Sequence, residues 1–150
     1  MVQRKKQFKK TLYNSFVNNF VLGGKKKLAK NIIDNTFLNL SKNLRVSIVQ
    51  LLFRVYLKLD CFVEIKHVKI KRRKYTIPFA VNYSRRIYLI IKKIKNSTKS
   101  DKRRINFSEK LKIELYNIIN FQSSSKAIKS SKAQQALVKS SRSNIHFRWK

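Results

Sequence analysis

Acidic residues are nearly missing from this chain: six Asp and Glu stand against 37 Lys and Arg in 150 residues, a formal charge of +31. The six, Asp34, Asp60, Glu64, Asp101, Glu109 and Glu114, are scattered along the chain, and neither a phosphate-cradling glycine loop nor a nucleophile motif accompanies them. Catalysis therefore finds little support, and a chain this basic draws its few acids into ion pairs. The single cysteine, Cys61, excludes an internal disulfide; with only His67 and His146 as histidines there is no ligand set for structural zinc. Cys61 and His67 read as structural residues, and no metal or cofactor is expected. No run of about twenty apolar residues is present, so membrane insertion is not expected. The two glycines and one proline, beside abundant Lys, Asn, Ile, Phe and Tyr, match the residue usage of a strongly AT-rich genome, a bias common in organelle genomes.

What is present is positive charge together with enough apolar residues, 43%, to build a core in one domain of ordinary size. A chain at +31 repels itself, and nucleic acid supplies the densest compensating charge, with release of condensed counterions as a driving force. A membrane-active protein would instead concentrate its basic residues on one amphipathic helix. The N-terminal stretch 1–11 carries Arg4, Lys5, Lys6, Lys9 and Lys10, and it lacks the apolar centre or Ser-rich amphipathic extension of a targeting peptide. It reads as a phosphate-binding arm.

Residues 62–81 carry the most specific pattern. Two runs of near-alternating apolar residues, Val63 to Ile70 and Tyr75 to Val81, flank a tip made only of Lys71, Arg72, Arg73 and Lys74. The pattern predicts an extended β-hairpin with a cationic point, which needs a dense negative partner. Val63 and Ile65 keep one phase while Val68 and Ile70 keep the other, predicting a bulge near His67. Pro78 is tolerable because a two-stranded ribbon has only edge strands.

The rest reads as helix. Leu12, Phe16 and Phe20 mark a first helix that Gly23 and Gly24 stop; a second runs from about Lys26 to Leu40, burying Leu28, Ile32, Ile33, Phe37 and Leu40. Lys25, Lys26 and Lys27 oppose the macrodipole at its start, which an outside anion would explain. A third helix spans about Asn43 to Leu59, with Arg45, Arg54 and Lys58 outward. A fourth, opened by Ser84, carries Ile87, Ile90, Ile91 and Ile94, with Arg85 and Arg86 in its first turn. A polar loop from Asn96 to Asn106 precedes a fifth helix beginning at Ser108. After Ser123 to Ser125, a sixth from about Ala127 to Asn144 lies over the surface. No acid occurs from Leu115 onward, and the closing His146, Phe147, Arg148 and Trp149 suit stacking and phosphate contact. The expected architecture is mainly α: a bundle of about six helices with one extended β-hairpin between the third and fourth.

In order and spacing these features resemble the bacterial and organellar small-subunit ribosomal protein seven family. The resemblance rests on Ser15-Phe16-Val17-Asn18, Gly24-Lys25-Lys26, Val63-Glu64-Ile65-Lys66, Tyr75, Ile77-Pro78, Val81, Arg85-Arg86 and the closing His146-Phe147-Arg148-Trp149. It covers nearly the whole chain as a single domain, 1–150, with the segment 126–150 as C-terminal helix and tail. Lys71 and Arg72 stand where the family has a glycine pair, so a wider and more cationic turn is expected; the family's Asn-x-x-Pro before the hairpin is Lys58-Leu59-Asp60-Cys61. Ser125, Ala127 and Lys129 keep part of a last-helix pattern, and the basic arm is shorter than the family's.

The resemblance implies a non-enzymatic constituent of the subunit head that binds the 3′ major domain of small-subunit ribosomal RNA and supports head assembly. It implies ribosomal RNA contacts for the arm cations, Lys25, Lys26, Lys27, Lys66, Lys69, Arg85, Arg86, Lys129 and Arg148. Lys71, Arg72, Arg73, Lys74, Lys139, Arg142, His146 and Trp149 are assigned nearest the exit-site tRNA and mRNA. Neighbouring head and platform proteins are the expected protein partners, without homo-oligomers, in a mitochondrial ribosome or alternatively a plastid one. A DNA-binding architectural protein with a basic β-arm is the competing reading, but it would carry an apolar wedge or proline at the tip.

Overall fold

Apolar residues recurring every three or four positions roll most of the chain into helices, and the computed structural model describes them over residues 12–120 and 124–149. Helix α1 covers residues 12–20, α2 Lys26–Leu44, α3 Ile48–Leu59, α4 Tyr83–Lys99, α5 Phe107–Ile119 and α6 Lys126–Ser140. Strands β1 (Val63–Ile70) and β2 (Arg73–Ala80) form the hairpin between α3 and α4, and a 3₁₀ helix, Arg142–Trp149, closes the described chain. The expected mainly helical bundle with an inserted hairpin is the fold observed.

Each helix contributes one apolar stripe to a common core: Phe16 and Phe20 from α1, Ile33, Phe37 and Leu40 from α2, Leu51, Val55 and Leu59 from α3. Ile87, Ile91 and Ile94 of α4 and Leu111, Leu115 and Ile118 of α5 complete its centre. Helix α5 packs against α2, α3, α4 and α6 and is the element the others surround. One stripe differs from the periodicity reading. Leu28 is exposed and Ile32 half-buried, because only Ala29, Ile33, Thr36, Phe37 and Leu40 of α2 face inward.

Helix boundaries shift where glycine is missing. The break between α2 and α3 falls at Arg45, which takes the left-handed conformation (φ 52°) and closes α2 through its N–H to Ser41 O. Leu44 therefore ends α2 and does not begin α3, whose N-cap is Ser47, with Oγ accepting from Gln50 N. Helix α4 begins one residue before Ser84, capped by Asn82, and runs on to Lys99 through residues expected to be loop. Ser97 and Thr98 are buried there because their hydroxyls donate back to Ile94 O.

The expected bulge is absent. The register runs unbroken from Val63 opposite Ala80 to Ile70 opposite Arg73, leaving a two-residue turn at Lys71 and Arg72. That turn is tight, not widened: Lys71 adopts φ 54°, the conformation a glycine would otherwise supply. The apolar phase change near His67 records which face is covered. Val63 and Ile65 face the side where α6 lies along β1, whereas Val68 shares a face with Tyr75, whose ring meets Phe147 of the tail at 4.6 Å between centroids.

The joint between α5 and α6 is made by a buried carboxylate. Glu114 accepts from Ser125 Oγ and Ala127 N, both at 2.9 Å, while Ser125 Oγ in turn accepts from Ile128 N. Replacing Glu114 with Ala leaves these donors unmatched, an expected loss of about 2–3 kcal/mol in chemical denaturation, with Glu114→Gln clearly milder. At the hairpin turn, Lys71→Gly should preserve the ribbon and stabilise it by up to about 1 kcal/mol, while Lys71→Val should cost at least about 1 kcal/mol. Amide exchange across β1 and β2 reads both outcomes.

Candidate nucleic-acid interface

Charge at the hairpin tip has no internal compensation. Lys69 stands directly opposite Lys74 across the ladder, and Lys71, Arg72 and Arg73 lie between them, all exposed. Like charges facing each other across a strand pair destabilise it, and no ion pair among the described residues reaches this cluster. The tip is thus held together by backbone pairing and opposed by electrostatics, a balance that a phosphate array reverses.

The base of the hairpin is built differently. Helix α4 sets two arginines against two acids: Arg85 makes a two-pronged contact with Glu64 of β1 (2.8 and 3.2 Å), and Arg86 does the same with Asp60 at the end of α3. Arg86 also lies over the Phe62 ring, 4.0 Å from its centroid. Its side chain is 17% exposed and that of Asp60 12%, so this pair is largely withdrawn from water, whereas Arg85 keeps 49%. The resemblance assigns both arginines to RNA. The structure gives Arg86 an internal role, tying α3, the strand entry and α4 together, and leaves Arg85 open on one side over Tyr88. The hydrogen bond from Arg85 lowers the Glu64 carboxyl, and Arg103 holds Asp101 down at about 2. Because both acids titrate below their unfolded values of about 4, these contacts act above that pH and fade as it falls.

Tail and hairpin form one unit. The bond from Val81 N to Phe62 O sets the ladder phase, which turns the carbonyls of Thr76 and Pro78 to the free edge of β2. Asn144 Nδ2 donates to Thr76 O at 3.0 Å and Arg148 Nε to Pro78 O at 2.6 Å. Residues four apart on a helix thus satisfy carbonyls two apart on a strand, and the missing N–H of Pro78 falls on that same edge, where the ladder asks for no donor. Arg148, whose guanidinium lies 5.7 Å from the Phe79 ring, is a strap within the protein instead of a freely offered cation. Gln134 Nε2 reaches Val63 O at 3.2 Å, fastening β1 to α6. Beyond these straps Trp149 is 91% exposed, and His146, whose ring is tilted against that of Phe147 with centroids 3.9 Å apart, is also exposed.

A groove of about 750 Å³ opens between the hairpin, α4 and α6, with Lys92, Lys93 and Lys126 among its lining cations. Burial pushes the Lys93 ammonium down from its ordinary value, and its Nζ donates to Ser131 Oγ at 3.2 Å. Sequence reasoning misses these lysines because they share α4 and α6 with core residues; for Lys92 and Lys93 the available signal is their place between Ile91 and Ile94 of α4. At the other end of the bundle Lys25, Lys26 and Lys27 are all exposed at the start of α2, whose N-terminus has no side-chain cap and no acid in its first turn. Gly23 and Gly24 turn the chain into this end with φ of 56° and 73°. Lys66, 4.9 Å from the Phe79 ring centroid, Lys69, Lys129, Lys139 and Arg142 are exposed on the hairpin, α6 and the tail. Arg4, Lys5, Lys6, Lys9 and Lys10 lie outside the described residues.

Comparison with known proteins gives a consistent family. The family described as "Ribosomal protein S7p/S5e" matches residues 1–142. The chain is 28% identical over 143 residues to "Small ribosomal subunit protein uS7" of Syntrophus aciditrophicus, covering 95% of this chain and 90% of that one. It is 26% identical over 134 residues to "Small ribosomal subunit protein uS7m" of Reclinomonas americana, covering 89% of this chain and 82% of that one. The uS7 of Thermosipho africanus is 26% identical over 138 residues, or 92% of this chain and 87% of its own length.

The two kinds of cation separate experimentally. Arg86→Ala strands a largely withdrawn carboxylate, so it should lower the melting temperature while leaving the salt dependence of RNA affinity unchanged. Lys25→Ala with Lys26→Ala should hold or slightly raise the melting temperature, since both charges oppose the α2 dipole, and flatten log affinity against log salt by about one for each phosphate no longer neutralised.

Proposed function

The chain belongs to the ribosomal protein S7p/S5e family, and on that premise we propose that it works in the head of the small ribosomal subunit, binding the 3′ major domain of the ribosomal RNA and supporting head assembly. The observation that carries this reading is the uncompensated hairpin tip, where Lys69 faces Lys74 around three further cations with no acid in reach among the described residues. A point that repels itself is an interface awaiting negative charge, and release of counterions from RNA supplies the driving force. Lys25 to Lys27 at the uncapped start of α2 form a second phosphate-seeking end.

Because Asn144, Phe147 and Arg148 fasten the tail to β2, the hairpin and the C-terminal segment present one continuous surface. We assign Lys71 to Lys74, Lys139, Arg142, His146 and Trp149 to the exit-site side, near tRNA and mRNA. Lys25 to Lys27, Lys66, Lys69, Arg85 and Lys129 we assign to ribosomal RNA, with neighbouring head and platform proteins completing the surroundings. The AT-rich residue usage and the similarity to a uS7m favour a mitochondrial ribosome over a plastid one. A DNA-bending arm is disfavoured, since the turn presents Lys71 and Arg72 and no apolar wedge. Much of the chain's charge is unpaired, so RNA that binds the folded state should also raise its stability.

The protein is expected to sediment with mitochondrial small subunits through moderate salt washing; recovery with DNA or membranes and not with subunits would sink the assignment. Replacing Lys71 to Lys74 by Ala should leave the helical circular dichroism unchanged but reduce tRNA and mRNA cross-linking several-fold. Undiminished cross-linking would remove the tip from the exit site.

A further inference from the structure

Beside the start of α2 lies a hollow of about 340 Å³ whose character differs from the basic surfaces around it. Its floor and walls are apolar: Phe20, Leu22, Leu28, Ile32 and Phe107. Leu22 is 64% exposed and Leu28 56%, although a core position was available to Leu28 by periodicity. Phe20 and Phe107 meet at 5.9 Å in an edge-to-face arrangement that gives the hollow an aromatic wall. Among the described residues, three lysines, Lys25, Lys95 and Lys99, are the only charged side chains lining it. Lys95 is anchored by donating to Asn19 O and lies 5.9 Å from the Phe20 ring centroid.

An occupant must therefore be apolar or aromatic in its body and negatively charged beside it. Lys25 approaches from the turn before α2, while Lys95 and Lys99 approach from α4, so the charge is wanted on two sides of the body. A nucleotide in a single strand has this form, a flat base between a preceding and a following phosphate, and unpaired bases seek aromatic and aliphatic walls. An amphipathic helix of a neighbouring protein would need a groove long enough for anchors at i, i+4 and i+7. This hollow instead draws its apolar lining from three helices and one turn around a single open depression.

We propose that the hollow receives one unpaired nucleobase of the bound RNA, with Lys25 and the Lys95–Lys99 pair holding its flanking phosphates. This rests on the RNA-binding reading above and adds to it a contact that recognises an unstacked base and not backbone charge alone. The site reads the RNA's single-stranded shape, whereas the hairpin tip reads its charge.

The test uses the full chain with a transcript of the small-subunit ribosomal RNA 3′ major domain, titrated across potassium chloride concentrations. The double variant Leu22→Ala, Leu28→Ala should retain its melting temperature, because both side chains are exposed, and bind about tenfold more weakly with an unchanged salt slope. Lys99→Ala should instead flatten that slope. Dimethyl sulfate should find one unpaired base protected by the wild type and reactive with the double variant. Equal affinity and equal protection in the variant would overturn the inference while RNA binding by the wild type stood. In small subunits purified from cells carrying the double variant, intact RNA binding with loss of a neighbouring subunit protein would assign the hollow to that protein and likewise overturn it. No binding by the wild type would overturn this inference together with the reading it rests on.

Discussion

Six carboxylates share this chain with 37 lysines and arginines, so attraction between unlike charges is available only where those six stand. Their placement follows the joints of the fold. Asp34 of α2 accepts from the Tyr13 hydroxyl of α1; Asp60 and Glu64 hold Arg86 and Arg85 where the hairpin leaves and rejoins the bundle; Asp101 turns back on Arg103; and Glu114 caps α6 from α5. Glu109 remains exposed in the first turn of α5, where a negative charge favours the helix dipole. With five acids engaged in contacts and Glu109 at the start of α5, none is left to neutralise the tip, the start of α2 or the outer face of α6. The electrostatic asymmetry of the surface is a direct consequence of how the interior is fastened.

The same constraint explains why the hairpin depends on the tail. An isolated two-stranded ribbon is marginal in water, and facing lysines make this one worse. Its base is stabilised by burial of Ile77 and Pro78 and by the two arginine–carboxylate pairs. Its open edge is satisfied by Asn144 and Arg148, while Phe147 covers Tyr75. Cohesion is concentrated at the base and repulsion at the tip, so the arm projects as a firm support with a charged end. Family membership gives such an arm its setting, a ribosomal subunit dense in RNA.

Shortage of glycine left its own mark on the backbone. Arg45 and Lys71 both occupy left-handed conformations that glycine ordinarily fills, one ending α2 and the other turning the hairpin. Neither site advertises itself in the sequence. That is why a reading by periodicity carries α3 back to Asn43, and why the tip looks too bulky for a two-residue turn. The reversed apolar phase at His67 misleads for a related reason: alternation reports which face is covered, and here both faces are covered by different elements at different heights of the ribbon.

Periodicity by itself determined the helices, the hairpin, its cationic tip and most of the core, because apolar spacing is local information and burial must follow it. Net charge likewise determined that the partner is anionic. Tertiary structure alone decided which cations face outward. Arg86 and Arg148 look like free cations in the sequence, and the structure gives them internal partners in Asp60 and the Pro78 carbonyl; Leu28 reads as core until α2 is seen to turn that position away. A side chain's freedom depends on neighbours 26 or 70 positions away, and no spacing along the chain encodes that distance.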